Sequence, residues 1–180
     1  MNPIADLTEA WRGLALTAAG QPEAAAHFRP TRVGLFIALG WFALALLLVA
    51  AAQSVAVGMP GVDDVLAGFV IQGATVAALA LVTSMSLRFL KLDVRVLQLL
   101  VPVVYFMGLV QIFAIPLVLL GPNVQLIAVL ALVALIWRTG LVHGGMRGSI
   151  AFAFALLCLM VLVVVPNALY MLFLASPSPA

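Results

Sequence analysis

Long apolar runs alternate with short polar breaks along the chain. The runs fall at Val33–Val57, Val65–Leu87, Val96–Leu120, Asn123–Gly140 and Ser149–Leu174. A helix needs about 20 apolar residues to cross the hydrocarbon of a bilayer. Four of the runs satisfy this directly. The run from Asn123 is apolar only as far as Trp137, but Arg138 can reach the interface along its apolar stem and let the helix continue to Gly140. The pattern predicts an all-α fold, a polytopic transmembrane bundle of five spans occupying residues 33–174. A rival arrangement turns the third and fourth runs into a re-entrant hairpin at Gly121-Pro122-Asn123. It is disfavoured because a lipid-exposed turn at mid-membrane leaves backbone groups unpaired.

The segment before the first span, residues 1–32, has a different rhythm. Ile4, Leu7, Trp11 and Leu14 recur at three-four-three spacing, and Asp6, Glu9 and Arg12 fall off that line. With Pro3 suited to a first helical turn, residues 3–19 are expected to form an amphipathic helix on the cytoplasmic membrane face, with Trp11 at headgroup depth. Gly20-Gln21-Pro22 ends it, and a second short helix starts at Pro22 and breaks before Pro30. Residues 175–180 form a short outer tail.

Composition sharpens this picture. Of 180 residues, 66% are hydrophobic and only 8% charged, against about 25% charged in a typical soluble domain. Too few polar groups remain to cover a water-facing surface, so the chain reads as an integral membrane protein. A basic n-region followed by an apolar core is missing from MNPIADLTEAWRG, and the first span is expected to stay as an anchor rather than be cleaved. Seven Arg against one Lys, with abundant Ala, suggests a GC-rich bacterial genome.

The placement of charge sets the orientation. All eight Lys and Arg lie before the first span (Arg12, Arg29, Arg32), between the second and third (Arg88, Lys91, Arg95), or between the fourth and fifth (Arg138, Arg147). With five spans these segments share one side, while Asp63 and Asp64 lie on the other. Basic residues in short loops stay cytoplasmic, which puts the N-terminus inside and the C-terminus outside. Arg88, Lys91 and Arg95 are also spaced as one face of a helix, so the second span is expected to extend as an interfacial helix. Together with Trp11, these three form the candidate contact with anionic headgroups or with a cytoplasmic partner.

Candidate chemistry is sparse. No ionisable residue lies deep in a span, which argues against a proton-coupled pump made by this chain alone. Gln72 and Gln111 sit near the middle of their runs and are expected to make interhelical hydrogen bonds. Pro102, Pro116 and Pro166 interrupt spans and read as packing kinks. The run RTGLVHGGMRGS, with Gly140, Gly144, Gly145 and Gly148, reads as a flexible turn rather than a close helix contact. Asp63 and Asp64 read as a solvated outer loop. His27 and His143 have no metal-type ligands at useful spacing. There is no phosphate-cradling loop, nucleophile elbow or acidic metal cluster. Cys158 has no second cysteine to pair with. Catalytic residues, metals and cofactors are therefore not expected. A net charge of +2 gives no case for nucleic acid. The expected partners are the lipid bilayer and, beyond it, another membrane protein or a second copy of the chain.

A cytoplasmic amphipathic N-terminus, five spans and a short outer tail, with the third span running into Pro116 and Gly121, the fourth ending IWRTGLVHGG and the last opening GSIAFAF, resemble the Yip family in its small bacterial form. The likeness to these Ypt/Rab-interacting-protein-type membrane proteins covers about Leu97 to Leu174, and QPEAAAHFRP is similar to the family's approach to the first span. The Asp-Leu-Tyr-Gly-Pro type signature of eukaryotic members is absent, so a GTPase-binding role does not carry over. The resemblance implies a non-enzymatic membrane organiser, scaffold or adaptor. An accessory subunit of a larger membrane complex is the alternative. A self-sufficient transporter or an intramembrane enzyme ranks third.

Overall fold

The computed structural model describes residues 3–58, 61–119 and 122–175. Within them every regular element is helical, with α1 at Pro3–Ala19, a 3-10 segment at Pro22–His27, α2 at Arg32–Val57, α3 at Val62–Phe89, α4 at Val96–Leu119, α5 at Pro122–Val142 and α6 at Gly148–Ala175. The turn at Gly121 and the tail from Ser176 fall outside the described residues. Four helices are long and apolar enough to cross a membrane: α2, α3, α4 and α6. Among the residues whose side chains are described, α5 contributes the apolar stretch Val129–Val142.

Local chemistry sets the boundaries. Thr31 caps α2 by accepting from the Gly34 N–H at 3.1 Å. Gly61 precedes α3, and its N–H donates to Asp64 Oδ2 at 3.1 Å. Asp63 and Asp64 thus lie in the first turn of α3, where carboxylates meet the positive end of the helix dipole, rather than in a free loop. Pro102 and Pro166 lie inside continuous helices.

The expected extension of the second span past Arg88 does not form. After Phe89, Lys91 takes a left-handed conformation (φ 53°). The Lys91 N–H bonds the Arg88 carbonyl, and the Leu92 N–H bonds the Leu87 carbonyl. These paired bonds around a left-handed residue terminate a helix. Arg95 then opens α4, its N–H donating to the Gln98 side chain at 3.1 Å. Arg88, Lys91 and Arg95 therefore occupy a last helical turn, a left-handed cap and a helix start. They do not share one helical face.

Helices α3, α4, α5 and α6 close a ring, α2 packs on the outside of α4, and α2 barely touches α3. Helices α2 and α4 pack closely: a Cβ on Gly108 would stand 3.4 Å from Phe42 Cα, in ordinary van der Waals contact. In the ring, α3 turns inward the stripe Ile71, Thr75, Val76, Leu79, Thr83 and Leu87, and α6 turns inward Ala151, Phe154, Ala155 and Cys158. Both follow the three-and-four spacing of a single helix face. Half of the α4 window Val96–Phe113 is buried (50%), against 22% for each of the other three.

Candidate functional site

The basic residues gather at one end of the ring, where α1 and the 3-10 segment fold over α4 and α5. Ala10, Gly13, Leu14 and Thr17 form the buried face of α1, so the stripe facing protein is rotated away from Trp11. A Cβ on Gly13 would meet the Phe28 ring at 2.7 Å, so the glycine is what lets the 3-10 segment close against α1. Two bonds at the end of α1 fix its exit: Gly20 (φ 77°) donates to the Thr17 carbonyl and Gln21 to the Leu16 carbonyl. A Cβ at Gly20 would lie 2.8 Å from Arg138 Nη1. The guanidinium thus sits at the negative end of the α1 dipole, and Arg138 also lies 5.6 Å over the Trp137 ring.

Two polar devices hold this cap. His143 Nε2 is 3.0 Å from Thr17 Oγ1, and the threonine hydroxyl also reaches the Gly13 carbonyl at 2.8 Å. The Phe28 ring meets the imidazole edge-on at 5.4 Å. Burial pushes the His143 pKa down to about 4, so the imidazole is neutral at physiological pH. The second device is a line of contacts from basic side chains and His27 to two carboxylates. Arg29 Nη2 lies 3.2 Å from Asp6 Oδ1, His27 Nδ1 lies 2.7 Å from Glu9 Oε2, and Arg12 lies 3.7 Å from Glu9. The hydrogen bond from His27 holds the exposed Glu9 carboxyl below its ordinary range. Sequence reasoning left both histidines without partners. Their contacts join positions up to 126 residues apart, a separation no local pattern reports.

Trp11 is 50% exposed and stacks at 6.3 Å on Phe113 of α4. Arg88, Lys91 and Arg95 are exposed at the α3–α4 junction. Gln72 on α3 and Gln111 on α4 are each half-buried, and no hydrogen bond joins them among the described residues. Among the described residues, threonine hydroxyls are the main buried polar groups of the bundle helices. Those of Thr75 and Thr139 bond carbonyls of their own helices at 2.8 Å. The glycine run is also more structured than expected. Gly140 lies within α5, where a Cβ would meet Ala151 Cβ at 3.2 Å, and Gly144 lies against Leu99 and Met146. Gly140 thus lets α5 and α6 approach closely, while Gly145 and Gly148 face open space.

Among the described residues no group of three metal-type ligands occurs. The arrangement is that of a multi-pass membrane protein with a folded cap at its basic end. No family model, no curated protein and no solved structure matches the chain.

Proposed function

We propose that the chain is a five-span protein of a bacterial inner membrane, with its N-terminus in the cytoplasm, that works without catalytic chemistry as an organiser, scaffold or adaptor of the Yip type. In this reading α5 is the remaining span, and the eight basic residues mark the cytoplasmic face. The observation that carries the proposal is the cap. The N-terminal segment is built into the bundle by the Thr17–His143 contact and by Phe28 and Trp11 against Tyr105 and Phe113 of α4, while the Asp6–Arg29 pair closes the segment on itself. Its outer face presents Thr8, Glu9 and Arg12. Such a shaped surface at the membrane boundary is suited to presenting a docking platform.

Mild extraction of the tagged protein, followed by mass spectrometry, tests the role. Recovery of the chain alone or as a self-oligomer with lipid supports the organiser. A stoichiometric membrane-protein companion supports the accessory-subunit reading instead. The orientation has its own test: Asp64→Cys and Lys91→Cys, each in a Cys158→Ala background, are expected to label from outside and inside respectively, and the reverse pattern overturns it.

A further inference from the structure

Helix α6 packs inward on α3 and α5, turning Ala151, Phe154, Ala155 and Cys158 to the interior. Its opposite face is uncovered. Ala153, Leu156, Met160, Val163, Asn167 and Tyr170 are all exposed. They recur in alternating steps of three and four, the spacing of a seam along which two helices wind about each other. All but Asn167 are suited to face lipid tails or the interface.

The depth of Asn167 makes its exposure costly. Helix α6 has 28 residues and is about 42 Å long, against about 30 Å of hydrocarbon. Asn167 stands eight residues before Ala175, about 12 Å from the far end of the helix. With the helix centred in the bilayer the amide lies about 6 Å inside the hydrocarbon, where lipid offers it no hydrogen bond. A local role accounts for part of the side chain. Pro166 interrupts the backbone bonding of α6, and Asn167 Nδ2 donates to the Val163 carbonyl at 2.7 Å in the turn before it. Among the described residues this is the only hydrogen bond of the amide. An asparagine has two N–H donors and a carbonyl oxygen with two lone pairs. One N–H and Oδ1 therefore remain on the lipid-facing side.

We propose that this face of α6 pairs with the same face of a second copy of the chain, in a parallel two-fold dimer where Asn167 meets Asn167. Copies inserted in the same sense hold their α6 helices parallel and bring the two amides to one depth. The amide is its own complement: the free N–H of each donates to the Oδ1 of the other. A lone polar residue in an apolar seam fixes register and pairing, and asparagine between helices in a bilayer supplies a hydrogen bond that lipid cannot. A different membrane protein would need a polar group at this same depth, which a second copy has by construction. The dimer requires that the chain span a membrane. It depends neither on the direction of crossing nor on the organiser role, so its failure and theirs are separately visible.

The test counts copies of the full chain, each fused to one fluorescent protein, by photobleaching in lipid vesicles over a series of protein dilutions. Two-step spots are expected at dilutions where chance co-occupancy of a vesicle is rare. Asn167→Leu keeps the seam apolar and is expected to weaken pairing about fivefold, the scale of one interhelical hydrogen bond in a bilayer. Asn167→Gln keeps an amide and is expected to retain most of the pairing. A second readout needs no change at Asn167. In a Cys158→Ala background, Met160→Cys is expected to crosslink to its own copy on oxidation, and Leu81→Cys, on the exposed face of α3, is not. One-step spots at every dilution of the unsubstituted protein overturn the proposal. Pairing that Asn167→Leu leaves unchanged, or crosslinking at Leu81 in place of Met160, overturns the assignment to this face.

Discussion

The two ends of the bundle are made of similar residues and are packed in opposite ways. At the basic end, α4 is enclosed: Leu99, Val101 and Val104 are each 1% exposed or less, surrounded by α1, α2, α3 and α5. At the far end the helices stand with large apolar side chains uncovered, among them Val62 and Leu66 of α3, Leu47 of α2 and Val163 and Met171 of α6. Hydrophobicity does not separate the two regions, because lipid tails are as apolar as leucine and give no net drive for helices to associate. Shape and polar contacts separate them. The basic end has Gly13 and Gly140 where a side chain would collide, and threonine, histidine and carboxylate groups that find partners. The far end offers its apolar surface to lipid or to another chain. Among the described residues the fully enclosed positions of α4 thus gather toward the basic end, although Phe36 and Phe89 there stand 73% and 87% exposed.

The largest expected effect breaks this contrast at a glycine. In Gly140→Leu the new side chain is driven into Ala151 and Met146, and such overpacking costs about 1–3 kcal/mol. Gly73 on α3 has nothing within 4 Å of a Cβ position. Gly73→Ala is expected to be neutral or to gain up to about 1 kcal/mol from helix propensity. Thermal unfolding of both variants in one detergent is the check. Equal losses at the two sites would mean that the far end is as closely packed as the basic end.

How much of this was legible in the sequence follows the same division. The apolar runs of α2, α3, α4 and α6 could be read directly, because one helix spanning a membrane needs only its own composition. The ending of α1 at Gly20-Gln21-Pro22 was legible because glycine accepts the left-handed conformation found there. The break at Lys91 was not, because a lysine holds the same conformation with no glycine or proline to mark it. Three-four spacing was therefore read through a helix end. The cap was legible as a helix but not in its orientation. Trp11 was the conspicuous residue, while small ones, Ala10, Gly13 and Thr17, make the contact. Small residues bury tightly and leave a weak periodic signal.

An intermediate effect comes from the Thr17–His143 contact. His143 has an ordinary pKa of 6.5, lowered by burial to about 4 in the folded chain. The unfolded chain therefore binds a proton where the folded one does not, and stability falls as pH falls. This contribution is complete above pH 6.5, is lost between 6.5 and about 4, and changes no further below that. Since the ring is partly exposed, the span of the loss is about 1–2 kcal/mol. His143→Gln is expected to flatten the unfolding midpoint across this window. Glu9 acts lower, below its ordinary value of 4.5, so the two groups are distinguishable by pH. An unchanged slope in His143→Gln would remove this histidine from the cap's stability.

The smallest effect locates the border between the two regions. Trp11 and Phe113 are each about half exposed and meet in a near-parallel stack with planes 27° apart. This contact joins the cap to the part of α4 where enclosure gives way to exposed surface. Offset aromatic pairs contribute about 0.5–1.5 kcal/mol beyond their area. Trp11→Ala and Phe113→Ala are each expected to cost little. A double-mutant cycle isolates the stack from the burial that each ring has on its own. A coupling of that size extends the ordered basic end down α4 as far as Phe113. Strictly additive losses would place its limit nearer Gly108, the last position of the nearly continuous buried run from Leu99, with Trp11 then acting only as an interfacial ring.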